Sequence, residues 1–144
     1  MKKVVIFIIM VIIIVAIISC RYVAYKVDNV SIMKANSEYE QYKDKEVYGV
    51  DIATLINKSV DKNTKNKIEK DENGMFIQND NNSIEIEIYM IDNEKTYKME
   101  SIYNEGTEKF VQHYGKIKFK CSKIEYHEKT KKVKYIRFEQ LQTS

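Results

Sequence analysis

The order of apolar and polar positions divides the chain into three regimes. Val4 to Ile18 is apolar without interruption, and Ser19 and Cys20 extend the uncharged run to 17 residues. At about 1.5 Å of helical rise per residue, that is the lower edge of what crosses a hydrocarbon core of roughly 30 Å. Tyr22, Val23 and Ala24 lengthen the usable span to about 21 residues, because the guanidinium of Arg21 can snorkel outward. Each central Ile, Val or Phe favours insertion by about 0.3 to 0.6 kcal/mol. The flank "RYVAYK" supplies Arg21, Tyr22, Tyr25 and Lys26, the residue types that anchor a helix at a bilayer surface.

A helical period follows. No Gly or Pro occurs before Gly49, so the helix is expected to run on, with any break falling at Asp28-Asn29, where polar side chains compete for backbone bonds. Ile32, Ala35, Tyr39 and Tyr42 form one stripe at spacings of 3, 4 and 3, which predicts helix to about Lys43. Gly49 punctuates the chain. From Asp51, a good N-cap, Ile52, Leu55, Ile56 and Val60 repeat the helical spacing until the polar loop "DKNTKNK".

Beyond that loop the period changes to 2. "SIEIEIYM" sets Ile84, Ile86, Ile88 and Met90 against Glu85, Glu87 and Tyr89, a half-buried strand. "DNEK" reads as a turn, and "TYKMESIY" as a returning strand with Tyr97, Met99, Ser101 and Tyr103 on one face. A weaker strand, "GMFIQ", opens at the turn signal Asn73-Gly74. "TEKFVQHYG" predicts a short helix with Thr107 as cap, Phe110, Val111 and Tyr114 inward, and Gly115 closing it. The last stretch is a hairpin, "KIKFKCSKIEYHE" and "KVKYIRFEQL" around "KTK". Its apolar parity switches between Cys121 and Ile124, which predicts a bulge near Ser122-Lys123. The expected fold is therefore α+β: a transmembrane helix, one or two amphipathic helices, then an antiparallel meander of four or five strands. The boundaries drawn are a membrane anchor over 1–25, a helical juxtamembrane segment over 26–48, and an extracytoplasmic domain over 49–144.

Composition changes this picture little. The chain is rich in Lys and Ile and has 4 Gly, no Pro and no Trp, a bias read first as genomic. The net charge is +3, and Lys2 and Lys3 supply two of those charges, so the folded part lacks the basic excess of a nucleic-acid binder. Acidic side chains concentrate in 69–108 and basic ones in 116–137, and Glu85 and Glu87 are expected to face Lys118 or Lys120 on neighbouring strands. The same basic hairpin could serve as an anionic-ligand face. Cys20 and Cys121 lie too far apart in character for an intradomain bridge, which suits a Gram-positive surface better than an oxidising compartment.

The fate of the apolar segment has three readings: a retained anchor, a cleaved signal, or a lipid attached at Cys20. Ile17 stands where a signal-peptidase site wants a small residue. "IISC" resembles a lipobox, and by that resemblance Cys20 is acylated and becomes the mature N-terminus; Arg21 and Tyr22 depart from the small polar residues that usually follow. Flanking cations nearly tie, and a short N-terminus before a long tail places the tail outside the cell.

Candidate chemistry is sparse. His113, Cys121 and His127 are separated by 8 and 6 residues, which fits no zinc pattern, and Cys121 falls on the apolar parity with Phe119. A Cys121–His127 nucleophile pair needs an exposed thiol that the alternation argues against. "DKNTKNKIE" and "NDNNS" lack the ligand spacing of a calcium loop, and no glycine run could cradle phosphate. No cofactor is expected, and no catalysis. The 11 tyrosines fit sheet packing, or alternatively a sugar- or peptide-binding face.

A membrane helix, an amphipathic extension and a meander together resemble type IV pilins and pseudopilins in outline. The leader glycine and the glutamate near the start of the pilin helix are absent here, where Lys3 precedes Val4 and Asp28 is the first acidic residue. The sequence thus predicts a small bacterial single-pass membrane protein whose domain binds another membrane or envelope protein, or self-associates. The alternatives are a pilin-like structural subunit and a lipoprotein binding module.

Overall fold

In the computed structural model, which describes residues 1–142, the chain forms two compact units, Met1–Lys34 and Ala35 onward. The first is helical throughout and belongs to α1, Lys2–Glu40, which ends within a turn of the expected Lys43. The second holds the last residues of α1 and all other elements: β1 (Glu46–Tyr48), α2 (Gly49–Lys65), β2 (Glu85–Met90), β3 (Lys95–Lys98), α3 (Met99–Glu105), α4 (Thr107–Tyr114), β4 (Lys118–Tyr126) and β5 (Val133–Gln140).

The sheet is mixed, with strand order β1-β4-β5-β2-β3, and this corrects the expected antiparallel meander. The hairpin β4–β5 is antiparallel as expected, but β5 lies parallel to β2, Ile86 opposite Ile136 and Ile88 opposite Phe138. Both central strands are buried along one face: Ile86, Ile88, Ile136 and Phe138 are all fully inaccessible. The predicted bulge is present, since the β4–β5 register shifts between Cys121 and Lys123 and leaves Ser122 as the extra residue. It returns Phe119 and Cys121 to the core side and leaves Ile124 half-buried.

Against that face lies α2, whose Ile52, Leu55, Ile56 and Val60 are buried at the predicted spacing. The helix starts earlier than expected, entered from Tyr48 without a side-chain cap, so Asp51 sits in the first turn facing the positive end of the helix dipole. It also takes in Asp61–Lys65 of the expected loop, because Asn63 is fully buried and hydrogen-bonded there. Asn63 Nδ2 donates to Ile84 O at 2.8 Å and its Oδ1 accepts from Ile84 N at 2.9 Å, tying helix to strand as a neighbouring strand would. Gly49 lets the chain pass against the end of α4: its N–H donates to Ile117 O at 3.0 Å and Val50 N–H to Gly115 O at 3.2 Å.

Three further expectations are corrected. "TYKMESIY" is strand only through Lys98 and then helix, because Met99, Glu100 and Ile102 must all be buried, which alternation cannot do. "GMFIQ" makes one bridge, Lys70 with Phe76, and no strand; Asp71 Oδ1 instead accepts from Asn73 N and Met75 N and shapes a turn ahead of left-handed Gly74. Thr107 does not cap α4; its hydroxyl bonds the Asn57 amide of α2.

The outer face of the sheet carries the charge pairing, with partners other than those expected. Glu85 meets Lys98 at 2.9 Å, and Glu87 accepts the Tyr135 hydroxyl at 2.6 Å beside Arg137 at 3.7 Å. Lys118 pairs with Glu46 of β1 at 2.7 Å. The strand order explains the change, since β5 stands between β2 and β4.

Candidate functional site

Two features have the character of functional surface, one in each unit. In the first unit every side chain from Val4 to Ile18 is exposed, and the helix is apolar on all sides. A helix of that kind has no aqueous face. It is long and apolar enough to cross a bilayer. Of the residues expected at its interface, Arg21, Tyr22, Tyr25 and Lys26 are all exposed on α1, and the Lys26 ammonium lies 5.6 Å from the centre of the Tyr22 ring. Cys20 is a free, exposed cysteine on the same helix.

In the second unit, the feature is a cavity of about 260 Å³ between the end of β2, β3 and the α3–α4 corner. Gly106 makes the corner. Its φ of +100° is reached at low cost only by glycine, and it lets two short helices meet with that single residue between them. Met90, Ile102 and Phe110 form an apolar floor, each under a tenth exposed. Tyr97 and Tyr114 wall it, with Phe110 and Tyr114 ring centres 5.4 Å apart. Glu105, Lys109 and His113 line the mouth, and His113 Nδ1 lies 2.8 Å from Lys109 O, one turn back on α4. An apolar floor with a few polar groups at its mouth is the chemistry of a site that takes an apolar group and orients it.

The structure separates the candidate catalytic residues. Cys121 points into the core, 5 % exposed, and burial raises its thiol pKa, with a backbone hydrogen bond from Lys123 opposing the shift. His127 is buried beyond the end of β4. The ring nitrogen Nε2, 2.8 Å from the Ser83 carbonyl, must carry the proton to donate, which leaves Nδ1 buried without a partner. His113 sits at the cavity mouth. Among the described residues no cluster of three or more His, Cys, Asp or Glu side chains is placed to hold a metal ion.

Sequence reasoning identified Phe110, Val111 and Tyr114 as inward-facing but missed the convergence of Phe110 and Tyr114 with Tyr97, Ile102 and Glu105. The available signal was Gly106, a glycine between two stretches that each bury residues at helical spacing. Comparison with protein-family models, with curated proteins and with solved structures gave no match.

Proposed function

We propose that the protein is held in a membrane by α1 and that its folded unit is an extracytoplasmic interaction domain that binds without catalysis. The observation that carries this reading is the exposure of an uninterrupted apolar surface from Val4 to Ile18. Burying it in water-free surroundings is the only state in which those side chains stabilise anything. The aromatic cavity beside α4 supports the binding half of the reading: a partner's apolar side chain fits between Tyr97 and Tyr114 while Glu105 and Lys109 meet polar groups around it.

The test is membrane fractionation of the full chain, with intact mass and N-terminal state of the extracted protein. Retention through alkaline carbonate extraction, with a mass that includes Val4–Ile18, supports the anchor. A chain starting at Cys20 with added acyl mass would replace it with the lipoprotein reading. Recovery in the soluble fraction would end both. A photo-cross-linking residue at Lys109 is expected to trap a partner that the same residue at exposed Lys65 does not. A second reading, a pilin-like subunit, is favoured by one observation: α1 is a single helix over Lys2–Glu40 whose Asn36 and Tyr39 are buried in the folded unit. It requires cross-links between copies through α1.

A further inference from the structure

A second, smaller cavity of about 70 Å³ lies where the ends of several elements meet, and it holds positive charge that the fold does not neutralise. Asn36 and Tyr39 of α1, Lys62 of α2, Asn66 just after it, Asn82, and Lys132 just before β5 wall it. Among the described residues no carboxylate lines it. Lys62 and Lys132 are both half-buried, and among the described residues neither lies in an ion pair. Glu38, the acid whose charge acts on Lys62, is paired with Lys58 at 3.2 Å.

The walls are fixed by contacts that do not use these ammonium groups. Asn36 spans the hairpin, its Nδ2 donating to Lys131 O at 2.8 Å and its Oδ1 accepting from Val133 N at 2.9 Å. Asn66 Nδ2 donates to Asn82 O at 3.2 Å. Lys62 rests over the Tyr39 ring, 4.9 Å from its centre. Burial holds the Lys62 ammonium below the usual lysine range; the charge of Glu38 opposes this and that of Lys132 adds to it. A lysine in the last turn of α2 complements the helix dipole, which accounts for Lys62 alone. It does not account for a second lysine converging on the same enclosed space.

We propose that this cavity binds a phosphate-class oxyanion between the ammonium groups of Lys62 and Lys132. Two lysines acting as point charges, with amides beside them, are a phosphate-binding combination. The anion removes the repulsion between the two ammonium groups and joins α1, α2 and the β4–β5 hairpin through one ligand. The same chemistry has two sources, free phosphate and the phosphomonoester headgroup of an anionic lipid.

The experiment uses the full chain in a neutral detergent, titrated with inorganic phosphate at constant ionic strength, with calorimetry and the unfolding midpoint as readouts. A saturable heat and a rising midpoint are expected, with chloride giving neither. Lys62→Gln and Lys132→Gln should each weaken binding by about tenfold or more, as loss of a charged hydrogen bond implies. Lys62→Arg should retain it, and Lys129→Gln, which removes the same charge from an exposed position of the hairpin turn, should not change it. In lipid nanodiscs, a midpoint rise with phosphatidate over phosphatidylcholine, without a response to free phosphate, assigns the headgroup as source. No saturable response to either would mean that the cavity holds water only, and equal responses in all variants would mean that phosphate binds elsewhere; either result would overturn the proposal.

Discussion

Gly49→Ala is the most informative single change to the folded unit. A Cβ built at Gly49 lies 2.0 Å from the carbonyl oxygen of Tyr114 and 2.7 Å from its carbonyl carbon, both backbone atoms that cannot rotate away. Relief requires α2 to move from the end of α4, which strains or breaks the hydrogen bonds from Gly49 N to Ile117 O and from Val50 N to Gly115 O. Overpacking costs about 1 to 3 kcal/mol and each net hydrogen bond about 0.5 to 1.5. Against this, alanine restricts the unfolded chain and stabilises by about 0.4 to 1 kcal/mol where space permits. The expected balance is a loss of about 2 to 3 kcal/mol, or roughly 10 °C or more in Tm for a domain of this size. Near-UV tyrosine signals report it, since the chain has no Trp and α1 contributes helix of its own. Gly74→Ala is the matched control: it has open space but a φ of +76°, so it should cost only about 1 to 2 kcal/mol of backbone strain. A Gly49→Ala midpoint equal to or above that of the native chain would refute the reasoning.

Asn63→Ala should destabilise by about 2 to 4 kcal/mol, because it leaves both the N–H and the C=O of buried Ile84 without partners; denaturant unfolding with an unchanged m-value checks it. The Tyr39 hydroxyl is pushed up to about 12 by burial, with the Ser59 hydrogen bond opposing and the charge of Glu38 adding. Its contribution to stability is therefore fully present below pH 10 and is lost as the pH rises from about 10 to about 12, which tyrosinate absorbance compared with Tyr39→Phe will show. In a Cys20→Ser background, Cys121 should resist a thiol reagent until denaturant is added, and rapid labelling of the native protein would contradict its burial.

What the sequence made legible was whatever local spacing controls. The α2 stripe, the alternation of β2 and the bulge at Ser122 each follow from side-chain parity within about ten residues. The parallel contact of β2 with β5 has no local signature, because parallel strands are joined by whatever chain lies between them, here β3, α3, α4 and β4. "TYKMESIY" was compatible with both periods, and only the need to bury Met99 and Glu100 side by side decides for helix after Lys98. The aromatic cavity depended on that same segment, so it could not be assembled while Tyr103 was expected on a strand face with Tyr97. The paired lysines of the smaller cavity come from segments 70 residues apart and lie on polar stretches that looked like ordinary solvated surface.

The central place of β5 has a temporal consequence. It joins β4 on one side to β2 on the other, so until Gln140 has left the ribosome the chain holds two disconnected strand pairs with their apolar sides uncovered. Completion of the sheet is a single late event that brings Ile136 and Phe138 between the two pairs and closes the core. The apolar segment Val4–Ile18, by contrast, emerges more than a hundred residues earlier. Any insertion of α1 into a bilayer would thus precede closure of the domain.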